Sequence, residues 1–403
     1  MLVKNLLPAF AAIGSAAAQA GVCKGTTVNS QADASQLASC RTIKGNLIVG
    51  PESGAAIDIS GPEQITGDFR VENNGQITTL TSTSLQSVGG QFRLNNVTGL
   101  NTVDLGKLTT VQSIYWVAAT RLDTLTLGPL TKAETIRISD TFLNTLDGFA
   151  LKSVGSFKID NNRRLQKYTS QLTDLSDELV IQANGIDLEV DLSNLNWIAN
   201  MAIANVTKFS VPSLQVVNGS AKFDSNYFTS FSAPNLTKTE TGDISFVGNG
   251  FLKNMTFPKL TQIAGGLLIA NNTGLDRITF FPKLQKISGA VKLRGNFTDI
   301  QFPSLNNVKG AFDVSSTANI RKSCDKLSES APRSQGGNGD IEGVFSCTAD
   351  NKQANDDTSG STSDSGNVDG TNGSSDGENS ASGVVLNAAL FGLVAVAGLA
   401  SAL

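Results

Sequence analysis

The sequence predicts an all-β protein folded as a β-solenoid of leucine-rich-like repeats, with about 22 residues and two short strands per repeat, closed by disulfide caps. Three observations predict it. An apolar-x-apolar triplet returns along the chain, a second apolar alternation lies between the triplets, and an asparagine follows many triplets at a fixed distance.

The triplets begin at Leu47, Phe69, Phe92, Tyr115, Ile136, Phe157, Leu179, Met201, Ala221, Ile244, Leu267, Val291 and Phe312. Twelve steps separate the first from the last, each roughly 20 to 24 positions long and about 22 on average, a period that marks a solenoid. Period-2 alternation marks a strand with one buried face. One such unit cannot bury its apolar face alone. Stacked units can, because each Leu, Ile or Phe lands on its counterpart about 4.8 Å along the axis.

The second alternation reads apolar-x-x-apolar-x-apolar and often ends in Pro-x-Leu. Examples are Leu122 to Leu127 before Pro129-Leu130, and Met255-Thr256-Phe257-Pro258-Lys259-Leu260. Pro212, Pro234, Pro282 and Pro303 mark the same place. Five residues past the triplet start stand Asn74, Asn162, Asn184, Asn226, Asn249, Asn272 and Asn296. Asparagine tolerates left-handed backbone and bonds neighbouring peptide groups, so these residues are expected to stack as a structural ladder.

The ends set the compartment. Residues 1–20 have Lys4, an apolar run to Ala18 and the small-x-small Ala18-Gln19-Ala20, and they read as a cleaved secretory leader. Residues 380–403 finish in an apolar tail with no charge after it, and small polar residues precede it. That is the signature of a glycolipid (GPI) attachment signal. Asn379 is the expected attachment residue, with Gly373 as the alternative that gives a longer spacer. The exterior is oxidising, so Cys23, Cys40, Cys324 and Cys347 read as two disulfides. Three pairings are open. The local pairs Cys23–Cys40 and Cys324–Cys347 are expected, since each would staple one end of the body.

Residues 21–349 form the solenoid, either as one body or as two halves with a break near 171–200, where Pro-x-Leu is missing. Residues 350–379 change abruptly to Ser, Thr, Gly, Asn and Asp, with seven acids and one lysine. Such a stretch buries too little to fold and reads as an extended stalk. The chain's net charge is −4, and without the stalk and Lys4 it becomes about +1 over 21–349. No nucleic-acid field follows from that. The Gly336 to Asp340 segment reads as a flexible loop within the C-terminal cap.

Asn-x-Ser/Thr sequons stand at Asn96, Asn205, Asn218, Asn235, Asn254, Asn271, Asn296 and Asn372. Asn296 ranks last for glycosylation because its ladder place is buried. The chain has no histidine, which removes Ser-His-Asp and Cys-His nucleophiles and most metal sites; neither cofactor nor metal is expected. A carboxylate pair for glycoside cleavage stays open, since it needs only two acids about 5–10 Å apart. The triplets' middle positions instead carry Arg70, Arg93, Trp116, Arg137 and Lys158, then Lys222 and Lys292. Alternation turns these outward as a broken basic stripe, with Tyr115 pointing inward. This stripe is the candidate face for an acidic or glycan ligand, against the plainer reading of a solvated sheet surface.

Leader, Cys-capped solenoid, sequons, stalk and tail together resemble the fungal GPI-anchored cell-wall organisation proteins, whose repeats are similar to the L domains of insulin- and EGF-type receptors. The resemblance covers nearly the whole chain. It implies a right-handed solenoid and a role in wall integrity at the outer face of the plasma membrane and in the wall. It implies no catalytic residues. Three function classes follow: a non-catalytic scaffold or recognition module meeting wall polysaccharide or wall glycoproteins, a carbohydrate-active β-helix enzyme, and an adhesin-like receptor for a protein.

Overall fold

A computed structural model of the chain describes residues 23–356. The expected leader (1–20), residues 357–379 of the expected 350–379 stalk, the 380–403 tail, Asn372, Gly373 and Asn379 lie outside the described residues. Residues 350–356 of that stalk are folded, the Asn351 amide donating to the Ser316 carbonyl at 2.9 Å and Ala354 being buried. The chain forms two compact units, one of residues up to 215 with 226–233, the other of 216–225 with the residues from 234 on. The 171–200 stretch carries no break in the sheet: Asp174–Gln182 pairs in parallel with Ser153–Asp160 before it and with Trp197–Ala204 after it, each pairing with one local irregularity, and all three lie in the first unit.

The first unit is a stack of parallel strands: β1 (Lys24–Val28), β2 (Thr42–Val49), β3 (Phe69–Glu72), β4 (Ser87–Asn95), β5 (Thr110–Ala119), β6 (Thr135–Thr141), β7 (Ser153–Asp160), β8 (Asp174–Gln182) and β9 (Trp197–Ala204). Each pairs in parallel with its neighbour, so the repeat period of the sequence becomes the rung period of the sheet. The second alternation forms further parallel sheets, Ala56–Asp58 with Thr79–Thr81, Thr102–Leu105 and Thr124–Leu127 in one, and Lys167–Thr169, Glu189–Asp191 and Lys208–Ser210 in another. The second unit repeats the plan with β10 (Ala221–Asp224), β11 (Ile244–Val247), β12 (Leu267–Ala270), β13 (Val291–Gly295), β14 (Phe312–Ser316) and β15 (Phe345–Thr348). Here a third short extended segment joins the two expected ones in each repeat, as in Lys238–Thr239, Gln262–Ile263 and Lys286–Ile287.

The Pro-x-Leu signature has a physical cause. In Val211-Pro212-Ser213-Leu214 the Leu214 amide donates to the Val211 carbonyl at 3.2 Å, and Leu305 does the same to Phe302. Proline at the second turn position has its φ already set for a β-turn and needs no donor there. The leucine then drops into the core, where Leu214 and Leu260 are buried.

Like residues stack on like. Phe69 lies on Phe92 with centroids 5.0 Å apart and planes 12° apart, and Phe223 lies on Phe246 at 4.6 Å. Phe257, Phe281 and Phe302 form a second column in the second unit.

Two roles expected of one asparagine are split between two positions. The left-handed residue is the one before the ladder position: Asn73, Asn161, Ala183, Ser225, Gly248 and Asn271 all have φ between 53° and 66°. The ladder residue itself, buried at Asn74, Asn162, Asn184, Asn226, Asn249 and Asn272, turns its amide onto neighbouring rungs. Asn162 Nδ2 donates to the Ile138 carbonyl at 3.0 Å and to Asn184 Oδ1 at 3.1 Å; Asn249 Nδ2 donates to the Phe223 carbonyl and to Asn272 Oδ1, both at 2.9 Å. Asn296 is not in this ladder. It is exposed, and the adjacent Phe297 fills the interior instead, so the burial that ranked Asn296 last among the sequons is absent. Asn96 and Asn254 are also exposed, while Asn205, Asn218, Asn235 and Asn271 are half-buried.

Both expected disulfides are formed, Cys23–Cys40 and Cys324–Cys347. The first ties the start of β1 to the segment after a short helix, α1 (Gln31–Gln36), whose N-cap Ser30 accepts from the Asp33 amide at 3.2 Å. The second ties α2 (Arg321–Ser328) to β15. The loop at 336–340 is held rather than loose: Gln335 exchanges hydrogen bonds with the Phe345 backbone at 2.9 and 3.0 Å, and the Asn338 amide donates to the Glu329 carbonyl at 2.8 Å.

Candidate functional site

Register decides which side chains share the outer face of the first unit. Ile48 pairs with Arg70, Arg70 with Arg93, Arg93 with Tyr115, Tyr115 with Arg137, and Arg137 with Lys158. The expected stripe is therefore present, with one correction. The aromatic member is Tyr115, not Trp116, which is fully buried with Leu94 and Ile138 as its rung neighbours. The repeat unit there is Ile114-Tyr115-Trp116, one residue earlier than the triplet spacing suggested. Ile114 stands midway between Phe92 and Ile136 and Tyr115 does not, which is the signal that could have placed it. The chemistry agrees: the larger indole gains more from burial, and the phenol keeps its hydroxyl in water. Trp116 Nε1 nevertheless has no partner in the interior.

Most cations of the column are neutralised. Arg70 pairs with Asp68 at 2.5 Å, Arg93 with Glu72, and Lys158 with Glu178 at 2.5 Å. The Gln91 amide that donates to Asp68 holds that carboxyl below the usual range, against partial burial, with Arg70 adding to the effect. Arg93 also stacks on the Tyr115 ring, its guanidinium carbon 4.3 Å from the centroid, and Arg137 approaches the same ring at 5.8 Å. Arg137 differs from the others. It is exposed and has no carboxylate partner among the described residues.

A second column runs beside the first and was missed in the sequence. Gln91, Ser113, Thr135 and Ser156 occupy successive rungs two residues before the outward cations. Combining strand alternation with the repeat length would have found it. Between the columns lies an open depression of about 420 Å³, bounded by Tyr115, Arg137, Lys158, the hydroxyl column and Asp177. Ser156 is only 7% exposed, and its Oγ has no hydrogen-bond partner. Of the remaining site residues, Arg93 is the rung neighbour of Tyr115 and Arg70 lies one rung further; neither lines the depression.

The second unit does not repeat the face. Its outward column reads Lys222, Ser245, Leu268, Lys292 and Asp313, so Lys222 and Lys292 are not neighbours. Burial raises the carboxyls of Asp224 and Asp243, which the Lys222 charge partly opposes; for Asp243 the Gly266 amide opposes it as well. Among the described residues no group of three or more Cys, Asp or Glu is placed to hold a metal ion.

A family model described as "Ecm33: GPI-anchored cell wall organization protein" matches residues 1–38. Over 371 residues the chain is 38% identical to "Protein ecm33" of Aspergillus fumigatus, covering 90% of each protein. It is 33% identical over 319 residues to a "Cell surface GPI-anchored protein" of Arthroderma benhamiae, covering 78% of this chain and 81% of that one. It is 35% identical over 302 residues to "Cell wall protein ecm33" of Schizosaccharomyces pombe, covering 72% and 70%. A leucine-rich repeat protein of Bacteroides ovatus aligns over 76% of this chain and 85% of its own at 10% identity, with a TM-score of 0.26, too low to carry an argument.

Proposed function

This chain belongs to the Ecm33 family of fungal GPI-anchored cell wall organization proteins, and from that premise we propose that it works as a non-catalytic scaffold and recognition module in the wall. Family membership puts it at the outer face of the plasma membrane and in the cell wall. The observation that supports a display role is the outward column of the first unit. Parallel in-register pairing repeats one outward position on successive rungs, which is a geometry for meeting an extended polymer. Its partners in this reading are wall polysaccharide or wall glycoproteins. Asn379, or Gly373, carries the lipid, and the stalk beyond residue 356 holds the solenoid away from the bilayer. Exposed Asn96, Asn254 and Asn296 carry N-glycans, as do the half-buried sequons that an oligosaccharide transferred before folding can reach.

Catalysis is the second reading, and one observation favours it: burial raises the carboxyls of Asp224 and Asp243, as it does for a general acid, although the Lys222 charge opposes the rise at both. One experiment separates the two. Cells lacking the chain are expected to become hypersensitive to wall stress, and the wild-type chain and the Asp224→Asn, Asp243→Asn double variant are expected to restore them equally. Release of oligosaccharides from wall glucan by the purified chain, lost in the double variant, would overturn the non-catalytic reading.

A further inference from the structure

The depression beside Tyr115 has features that a solvated sheet face does not need. An ion pair at a solvated surface gains little, but it occupies the cation, and a cation left unpaired stays available to a ligand anion. Here Arg93 and Lys158 are neutralised, while Arg137 between them is not. Tyr115 is not a free stacking platform either, because the Arg93 guanidinium already lies 4.3 Å from its centroid. That contact holds the ring as a fixed wall, and the Arg137 guanidinium also lies over the ring, 5.8 Å from its centroid. Opposite stand Ser113, Thr135 and Ser156, three hydroxyls on adjacent rungs. Ser156 is buried to more than nine-tenths and its hydroxyl is unpaired although it lines the depression. A buried polar atom without a partner forfeits its hydration and gains nothing in return, so a ligand atom that pairs with it recovers that cost.

The geometry points to an anionic glycan subsite: a sugar residue seated between Tyr115 and the hydroxyl column, its negative substituent on the Arg137 guanidinium. The recognition chemistry is one strong anion contact plus several hydroxyl contacts. Guanidinium binds a carboxylate or a phosphate through two parallel N–H bonds. Ser113, Thr135, Ser156 and the Gln91 amide both donate and accept, as sugar hydroxyls do. Asp177 at the margin accepts from sugar hydroxyls and repels an anion placed on its side, which orients the charged substituent toward Arg137. The subsite deepens the recognition role and rests on it.

The test uses the mature full-length chain and four probes: an uncharged mannotetraose, the same tetraose with one phosphate monoester, the same tetraose with one uronate carboxylate, and inorganic phosphate alone. Calorimetric titration at low salt is expected to show the two charged tetraoses binding at least ~10-fold tighter than the uncharged one, with their ratio telling which anion is preferred. Arg137→Gln is expected to erase that advantage, and Arg121→Gln, an exposed arginine elsewhere on the unit, to leave it intact. Ser156→Ala is expected to weaken every tetraose several-fold without lowering the melting temperature, a split that a merely structural serine would not give. Equal binding of charged and uncharged tetraoses, unchanged binding by Arg137→Gln, or phosphate bound as tightly as its tetraose would each overturn the subsite. A strain carrying Arg137→Gln separates the two levels. Wall stress sensitivity in the deletion strain but not in this one would defeat the subsite alone, and a deletion strain with a normal wall would defeat the recognition role beneath it.

Discussion

Asn162 is the best place to perturb the ladder, because its side chain joins three rungs. Nδ2 donates to the Ile138 carbonyl at 3.0 Å, the Asp160 carbonyl at 2.9 Å and Asn184 Oδ1 at 3.1 Å. Oδ1 accepts from the Thr141 amide at 3.1 Å and from the Thr141 hydroxyl at 2.6 Å. The residue is 1% exposed, so water cannot replace these bonds. Asn162→Ala strands the Thr141 donors and at least one carbonyl; at about 1–3 kcal/mol per orphaned group, the expected loss is about 3–5 kcal/mol. Asn162→Asp is the sharper probe. The carboxylate keeps both bonds from Thr141 but turns an oxygen toward three acceptors. Its folded-state pKa must therefore rise above the unfolded value of about 3.9. The penalty is absent below that value and grows as pH climbs through the raised folded pKa. Asn162→Asp is thus expected to be as damaged as Asn162→Ala at pH 7 and to recover most of the loss at pH 3.5. Hydrogen exchange read on residues 135–160 measures this, since repeat stability is largely a nearest-neighbour quantity, with β12 and β13 as internal controls. Protection at pH 7 equal to wild type in Asn162→Asp would refute the ladder as a source of stability.

Ala183 sits at φ 53°, where a non-glycine residue costs about 1–2 kcal/mol, so Ala183→Gly should gain up to about 1 kcal/mol after the entropy of glycine is counted, read by thermal unfolding. Trp116→Ala should lose about 3–5 kcal/mol, whereas Trp116→Phe trades a smaller void against relief of an unpaired Nε1 and should stay within about 1–2 kcal/mol, measured by urea titration. Tyr115→Phe, on the outer face, should change stability by no more than about 0.5 kcal/mol in the same titration. Burial raises the Asp224 carboxyl, so its penalty is absent in acid and appears as pH rises through the folded value; Asp224→Asn should therefore stabilise at pH 7, with the gain shrinking toward pH 3.5. Asp68, whose carboxyl is lowered, should behave oppositely, its stabilisation being lost as pH falls below about 3.9.

Much of this architecture was legible in the sequence because it is periodic. A steady recurrence of Leu, Ile and Phe leaves one way to bury every copy, which is to stack them, and a parallel stack converts sequence period into rung period. The cysteine pairing followed from the same logic, since each end of such a stack must be closed. The resemblance to cell-wall organisation proteins rested on the order of segments and was matched by relatives along most of the chain. Composition also removed whole chemistries, for a chain without histidine has few nucleophilic or metal sites to offer.

Register and neighbourhood were decided only in three dimensions. Tyr115 and Trp116 are adjacent aromatics, and alternation alone permits either to face inward; the rungs above and below, with Leu94 and Ile138 on the inner side, chose the indole. Repeat length drifts from one copy to the next, so corners absorb the extra residues and no count along the chain says where. The same drift hid the exposure of Asn296 and the interior place of Phe297. Ion pairing across rungs, which leaves Arg137 uncompensated beside the unpaired Ser156, depends on side chains a full repeat apart meeting at hydrogen-bond distance. A linear pattern places residues on faces; only packing decides which of them touch, because contact is set by ångström distances that a sequence period does not resolve.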